Sequence, residues 1–146
     1  AFPITTEVRG VKLHRLPEIK DMRGSLTVAD FQIHLPFGPA RTFFVFDVPS
    51  REIRGEHAHR VCEQFLLCVK GSVSVMADDG NHRFSVKLDN PSLGIHLSPY
   101  VWASQYNYTP DAVLVVFASH PYDAEDYIRD YSEFLEESRE KDLFSS

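Results

Sequence analysis

Short runs of alternating hydrophobic and polar residues fill most of this chain and predict β-strands. Period-two alternation is what a strand with one buried face requires. Turn-forming residues separate the runs, and Asp78-Asp79-Gly80-Asn81 predicts a hairpin because Gly and Asn tolerate positive φ. One run, Val113–Phe117, is hydrophobic throughout and predicts a strand buried on both faces. The predicted strands span 25–31, 41–48, 63–69, 72–77, 82–88, 93–97 and 112–119.

The C-terminal part of the chain alone shows helical spacing. Between residues 124 and 141 the hydrophobic positions recur with the period of a helix, at Tyr127, Tyr131, Phe134 and Leu135. Asp123 is a plausible helix cap. The acidic residues of the predicted helix form a solvated face. We expect the helix to pack outside the sheets or against a partner. Many short strands with regular turns, followed by one helix, predict an all-β sandwich or barrel with a C-terminal α-helix.

Length and composition indicate one globular domain over residues 1–146. The chain has 146 residues, of which 43% are hydrophobic, enough for a core. Residues 1–9 are a possible tail or linker. The first residue is Ala1, so either Met was removed or the domain is fused to another in a longer chain.

Charge and cysteine content narrow the partners and the compartment. The net charge of -6, with scattered Arg and Lys, argues against nucleic acid as the main partner. It leaves room for a phosphorylated small molecule, which one or two arginines can bind. No apolar run could span a membrane and no secretory signal is visible. Cys62 and Cys68 predict free thiols and a cytoplasmic protein.

The candidate chemistry lies in the segment Arg54–His59, which reads Arg-Gly-Glu-His-Ala-His. If this segment is extended, His57 and His59 point to the same side, because side chains repeat every second residue on a strand. Gln64 and Gly71 follow at regular distances. Three interpretations remain open: a metal site, a proton-transfer site, and two ordinary exposed strand residues.

The spacing from His57 to Gly71 follows the first metal motif of the cupin barrels, but two of four ligand positions are changed. Gln64 stands where that motif has Glu, and Ala103, after Pro99, stands where a second motif has His. An amide is a poor metal ligand and a methyl group is none. The sequence therefore predicts no metal and no cofactor.

Proton chemistry suits the pair better. Two neutral imidazoles in one pocket can take and give protons near neutral pH, since the ordinary pKa of His is about 6.5. Removing a proton beside a ketone yields an enediolate, and a nearby donor must stabilise its charge.

Longer stretches of the chain resemble the sugar-nucleotide 3,4-ketoisomerases. The similarity runs from Asp21 to Phe134. It is carried by Arg54–Arg60, Glu63-Gln64, Asp78-Asp79-Gly80, Pro91 to Gly94, Val101-Trp102 and Tyr127–Tyr131.

This resemblance implies a cupin-like jelly-roll barrel (a double-stranded β-helix) without a metal, usually a homodimer that exchanges an N-terminal strand. It implies conversion of dTDP-4-keto-6-deoxyglucose to its 3-keto isomer, in the biosynthesis of 3-amino-3,6-dideoxy sugars such as those of lipopolysaccharide O-antigens. The family's paired active-site histidines correspond to His57 and His59, its arginine before the aromatic strand to Arg41, and its barrel tryptophan to Trp102.

Two departures from the family pattern affect the choice of acid. Phe43 and Phe44 stand where relatives carry tyrosines, one of which has been assigned an acid role, and Ala103 replaces a histidine. Tyr106, His96 or the second histidine are then candidate donors to the sugar oxygen. His59 is the first choice as base, with His57 as its partner.

The substrate-binding candidates each have a structural alternative. Arg41 and Arg54 suit the diphosphate, but either could form a surface ion pair. Gln64 could bond an imidazole or a sugar hydroxyl, or be a satisfied interior amide. Trp102 could wall the sugar or thymine, or fill the core. Arg23 and Tyr106 are weaker candidates.

Three rival functions remain at this stage. The first is a metal-dependent cupin enzyme, the second a non-catalytic sugar-nucleotide-binding barrel, and the third a sugar-nucleotide epimerase acting at another carbon.

Overall fold

The structure is a computed structural model that describes residues 2–144, with the side chain of Phe144 left out. Within this range the chain forms thirteen strands and one α-helix. The strands are β1 (Ile4–Thr5), β2 (Val11–Arg15), β3 (Glu18–Asp21), β4 (Gly24–Thr27), β5 (Arg41–Phe46), β6 (Arg54–His59), β7 (Gln64–Lys70), β8 (Val73–Asp78), β9 (Arg83–Leu88), β10 (Leu93–Leu97), β11 (Trp102–Tyr106), β12 (Val113–Ala118) and β13 (Tyr127–Ile128). The helix, α1, spans Tyr131–Phe144.

Two antiparallel sheets form the body of the molecule. One has six strands in the order β1-β2-β10-β7-β12-β5, and the other has five in the order β13-β6-β11-β8-β9. The main core contains residues of both sheets, for example Leu66 and Val116 from the first and Val75 and Ala77 from the second. The sheets therefore pack face to face, as the predicted cupin-like jelly roll requires.

Strand β12 confirms the predicted burial on both faces. Leu114 and Val116 point into the core between the sheets. Phe117, on the opposite face, packs with Phe65 and Leu35 in a smaller cluster that the segment before β5 covers. A strand buried on both sides needs no polar alternation, so its sequence is hydrophobic throughout.

Part of the N-terminal segment belongs to the first sheet, which differs from the tail or linker expected for residues 1–9; Ala1 lies outside the described residues. Ile4–Thr5 pairs with β2, and Val8 is only 1% exposed. The Thr6 hydroxyl bonds backbone oxygens of Val8 and Val11. The sequence does not predict this pairing, because a strand of two residues is too short to show a period.

The predicted C-terminal helix begins seven residues later than expected. Asp123 does accept a hydrogen bond, from the backbone N–H of Glu125, but it caps only a 3-10 turn over Ala124–Asp126. The chain then extends as β13, which pairs with β6. Asp130 caps α1 itself by accepting from the backbone N–H and the hydroxyl of Ser132.

Candidate active site

Strand β6 carries a bulge just before the histidine pair. The partner strand β11 places Ala103 opposite His57 and Ser104 opposite Gly55, so Glu56 is the extra residue. Gly55 and Glu56 both have positive φ, of 84° and 56°. A Cβ on Gly55 would lie 2.9 Å from Gln105 Oε1 and 3.0 Å from the Ala103 carbonyl oxygen, so glycine is required there.

Beyond the bulge, His57 and His59 leave the strand on the same side, as the alternation predicted. Their ring centroids are 5.0 Å apart and the rings meet edge to face. His57 lies on a cavity of about 230 Å³ between the sheets. The other lining residues are Phe43, Val45, Arg54, Gly55, Gln64, Leu66, Gln105, Leu114, Val116, Tyr127 and Arg129.

A buried carboxylate orients His59. Asp126 Oδ2 lies 2.7 Å from His59 Nδ1, and Asp126 Oδ1 accepts backbone N–H groups of Val61 at 2.7 Å and Cys62 at 3.4 Å. Burial alone would raise the pKa of Asp126, but these donors and His59 outweigh it and hold the pKa below its ordinary value. An ionised acceptor at Nδ1 assigns the proton to that nitrogen and the lone pair to Nε2.

The Nε2 atom of His59 has no hydrogen-bond partner among the described residues, and the side chain is buried. Burial lowers the pKa of His59, although Asp126 opposes the shift, and Arg41 and Arg129 add to it. The ring is therefore a neutral imidazole at pH 7 with an unused lone pair.

His57 has a neutral partner instead. Its Nδ1 lies 3.0 Å from the Gly55 carbonyl oxygen, which can only accept, so Nδ1 carries the proton and Nε2 the lone pair. Burial lowers the pKa of His57 to about 4, with the neighbouring His59 as the second cause. Both histidines thus present a basic Nε2 in the neutral state.

Two site residues, Tyr127 and Arg129, were missed by the sequence interpretation. The Tyr127 ring lies 4.5 Å from the His59 ring and 4.9 Å from the His57 ring, centroid to centroid. The Arg129 guanidinium lies 4.4 Å from the Tyr127 centroid. The spacing of Tyr127 from Tyr131 and Phe134 fits the apolar face of a helix, and this pattern conceals its place at the site. The resemblance of Tyr127–Tyr131 to the family is the sequence feature that points to a role at the site.

Arg60 holds the segment containing Asp126 and Tyr127 against β6. Its Nη1 donates to the carbonyl oxygens of Glu125 at 2.6 Å and Tyr127 at 3.1 Å. Its Nε and Nη2 reach Glu137 on α1. One guanidinium therefore fixes the backbone on both sides of the carboxylate that orients His59.

Three predicted binding residues lie at or beside the cavity. Gln64 and Arg54 line it. Arg41 is close enough to His59 to lower the pKa of that ring, and its Nε donates to the His120 carbonyl oxygen at 3.0 Å. Neither Arg41 nor Arg54 has a carboxylate partner among the ion pairs of the described residues, so the surface ion-pair alternative finds no support.

Trp102 and Tyr106 are placed elsewhere, which corrects both expectations. They share one face of β11, whereas Ala103 and Gln105 face the interior. Trp102 is 8% exposed and packs against Tyr131 and Phe134 near α1. It fills a small core rather than walling the cavity, and Tyr106 does not line the cavity either.

Arg23 lies on the β3–β4 hairpin, away from the histidines' cavity. That hairpin is a separate two-stranded sheet, and Arg23 bonds Asp21 on an exposed surface. Within one chain Arg23 therefore does not contribute to the site.

The phenylalanines of β5 divide between the two faces of the strand. Phe43 lines the cavity, but Phe44 and Phe46 are exposed. Only the ring on the interior face is covered by the fold, and β5 is the edge strand of its sheet.

A metal would fit this arrangement poorly. His59, Cys62 and Asp126 offer donor atoms within 4.8 Å of one another. However, His59 Nδ1 and Asp126 Oδ2 are already hydrogen-bonded directly, and an ion between them would have to break that bond. Of the cupin-like ligand positions, Gln64 offers a neutral amide and Ala103 nothing.

Comparison with known proteins identifies the family. The model of the family described as "FdtA: WxcM-like, C-terminal" matches residues 9–139. The chain belongs to the FdtA family. A relative from Aneurinibacillus thermoaerophilus, named TDP-4-oxo-6-deoxy-alpha-D-glucose-3,4-oxoisomerase, is 40% identical over 123 residues, which are 84% of this chain and 88% of the relative.

Solved structures agree with this FdtA-family assignment. A mutant of the 3,4-ketoisomerase QdtA from Thermoanaerobacterium thermosaccharolyticum, in complex with TDP-4-keto-6-deoxyglucose, is 32% identical with a TM-score of 0.88. The match covers 95% of this chain and 99% of that one. The TDP-quinovose 3,4-ketoisomerase WlaRB from Campylobacter jejuni is 35% identical with a TM-score of 0.84, over 88% and 99% of the two chains.

The predicted membership of the 3,4-ketoisomerases and the predicted cupin-like fold are thus confirmed. Among the described residues, no helix has the length and apolar character needed to cross a bilayer.

Proposed function

We propose that this protein is a TDP-4-keto-6-deoxyglucose 3,4-ketoisomerase that uses its histidines as bases. The observation that carries the proposal is a pair of neutral imidazoles with fixed tautomers in a chain 40% identical to a 3,4-oxoisomerase. His57 lines the cavity, and the His59 ring lies 5.0 Å from the His57 ring, centroid to centroid. A mutant of the related QdtA carries the 4-keto sugar nucleotide itself, which supports the same substrate for this chain.

The reaction moves a carbonyl group by one carbon. The C4 ketone acidifies the proton on C3, and a base removes it to give an enediolate across C3 and C4. Return of a proton to C4 leaves the ketone at C3. A base in such a step has to be unprotonated at working pH, and the lowered pKa values of His57 and His59 meet that condition.

We assign the base to His59 and a supporting role to His57. The Asp126 carboxylate holds the Nδ1 proton of His59 and stabilises the imidazolium that forms when Nε2 takes the C3 proton. His57 adjoins the cavity, and its Nε2 can hydrogen-bond a sugar hydroxyl.

The diphosphate is assigned to Arg54 and Arg41. Arg54 lines the cavity and Arg41 lies next to it. A guanidinium matches pairs of phosphate oxygens, so two of them at one rim can hold the nucleotide while the sugar enters. Gln64 is then within the cavity wall as a donor to the sugar.

A homodimer with an exchanged N-terminal strand is the proposed assembly. The β3–β4 hairpin presents Ile19, Met22 and Leu26 as exposed hydrophobic residues, and Met22 is fully exposed. Apolar side chains on a projecting two-stranded arm gain stability when a second copy covers them. In such a dimer Arg23 could approach the partner's site.

The biological role we propose is the supply of a 3-keto sugar nucleotide for 3-amino-3,6-dideoxy sugars, made in the cytoplasm. The 3-keto group is the one that an aminotransferase needs to install nitrogen at C3. Two free, buried cysteines, Cys62 and Cys68, suit a reducing compartment.

Incubation with TDP-4-keto-6-deoxyglucose in D₂O, followed by NMR, tests the proposal. The expected product is the 3-keto isomer, with the ketone carbon at C3 and a C–H at C4. Deuterium at C5 with the 4-keto group retained would identify an epimerase instead. Binding of TDP without any product would identify a non-catalytic barrel, and turnover dependent on stoichiometric iron, zinc or manganese would identify a metal-dependent cupin.

A further inference from the structure

The isomerisation needs a proton donor for the oxygen on C4, and the phenylalanines of β5 cannot supply it. Phe43 occupies the cavity wall without a hydroxyl, and Phe44 is on the exposed face. Two of the other candidate donors are also unsuitable. Tyr106 does not line the cavity, and His96 Nε2 is bonded to Glu63 at 2.7 Å.

We propose that Tyr127 is the catalytic acid–base that carries a proton between the two sugar oxygens. This rests on the proposed isomerase activity and adds a residue to it. Among the described residues that line the cavity, Tyr127 is the one with a phenol. The single ring proton of neutral His57 is held by the Gly55 carbonyl oxygen.

Geometry places the Tyr127 ring against both histidines. It contacts His59 and His57 at centroid distances of 4.5 Å and 4.9 Å. Pairing of Tyr127 with His59 across β13 and β6 fixes this position, and Arg60 bonds the Tyr127 carbonyl oxygen. A base and an acid held against each other can act on adjacent atoms of one sugar.

His59 takes the proton from C3, the C–H electron pair forms the C3–C4 double bond, and the carbonyl oxygen on C4 takes the phenol proton. The resulting phenolate of Tyr127 removes the proton of the C3 hydroxyl, so C3 becomes the ketone. The double-bond electrons then take a proton at C4 from the His59 imidazolium. Both side chains return to their starting states.

Arg129 is suited to support this phenolate. Its guanidinium lies 4.4 Å from the Tyr127 ring centroid, and it also lines the cavity. A cation at this distance stabilises the negative charge that develops when the phenol gives up its proton.

Replacement of Tyr127 by Phe tests the inference, because the ring and its contacts with the histidines remain. We expect kcat to fall by about 10²–10⁴-fold, the range for loss of a general acid. The affinity for TDP and the melting temperature should stay near those of the wild type.

The matched control is Tyr122→Phe. Tyr122 stacks on Tyr127 at 5.5 Å but is 62% exposed and is not part of the cavity wall. It should keep wild-type kcat. If wild type and Tyr122→Phe turn over the keto sugar and Tyr127→Phe does so at the same rate, the role of Tyr127 is rejected while the isomerase stands. No turnover by the wild type would reject the proposed function itself.

Discussion

His57 and His59 leave the same strand on the same side, yet their surroundings differ. His59 is 6% exposed and bonds the ionised Asp126, whereas His57 adjoins the cavity and bonds a neutral carbonyl oxygen of its own strand. Burial is the main cause of the lowered pKa in both rings. Only His59 has a carboxylate as a direct hydrogen-bond partner, and that carboxylate opposes the lowering.

The difference separates two tasks that identical side chains could share. A charged partner at Nδ1 makes His59 the better proton acceptor, because it stabilises the imidazolium that forms. The Gly55 carbonyl fixes the tautomer of His57 but contributes no full charge. We infer that charge, more than access to the cavity, distinguishes the base from its supporting neighbour.

The largest effect is expected for His59→Asn. An amide cannot accept the C3 proton, so kcat should fall by about 10³–10⁴-fold, the upper part of the range for general acid–base catalysis. The affinity for TDP should remain nearly intact, since the nucleotide is bound elsewhere. Product formation by NMR and TDP binding by calorimetry measure the two quantities.

His57→Asn is the matched comparison for that variant. It should lose only about 10–100-fold in kcat, because the base remains and an Asn can still hydrogen-bond the sugar. A greater loss in His57→Asn than in His59→Asn would reverse the assignment of base and partner.

Asp126→Asn should have the next largest effect. Loss of the charge leaves His59 in place but removes the stabilisation of its imidazolium. We expect kcat to fall about 10–100-fold, by analogy with carboxylates that orient metal-ligating histidines. The pKa of His59 should fall further, because Asp126 raises it in the native protein. The acidic limb of the kcat profile should then move to lower pH.

Glu63→Gln provides the control for Asp126→Asn. Glu63 and His96 form another carboxylate–imidazole pair, also at 2.7 Å, but neither residue lines the cavity. Turnover should stay at the wild-type rate. An equal loss in both variants would show that breaking such a pair acts through the fold and not through His59.

The smallest effect is expected for a change of pH between 8 and 6. Since the pKa of His57 is lowered to about 4 and that of His59 is also lowered, kcat/KM should not decline at the ordinary histidine value of 6.5. It should fall only below that value. A decline centred at pH 6.5 would show that both rings are solvated as free histidines.

Stability should follow the same groups. The folded protein binds protons at these rings less readily than the unfolded chain does, so their contribution to stability is complete above pH 6.5. This contribution is lost as the pH falls towards 4, and for His57 the free energy of unfolding decreases by about 3 kcal/mol at most. Urea unfolding at pH 7 and pH 5 measures the change.

Local patterns were sufficient for much of the fold. The strand over Leu93–Leu97 was predicted with both its ends, and the predicted strands at 72–77 and 82–88 lie within one residue of β8 and β9. Alternation succeeds there because one face of each strand is buried and the other is not. It fails for β1 and β13, each of two residues, which are defined only by their partners.

The sequence alone determined which side of β6 the histidines occupy, since period-two geometry depends on the backbone and not on distant contacts. Only the tertiary structure decided their neighbours: Asp126 and Tyr127 come from a segment 67 residues away from His59 and Arg60 in the chain. A helical pattern concealed that segment, because Tyr127 fits the period of α1. The segment is extended instead because Asp126 satisfies backbone N–H groups of Val61 and Cys62, an interaction that no local pattern encodes.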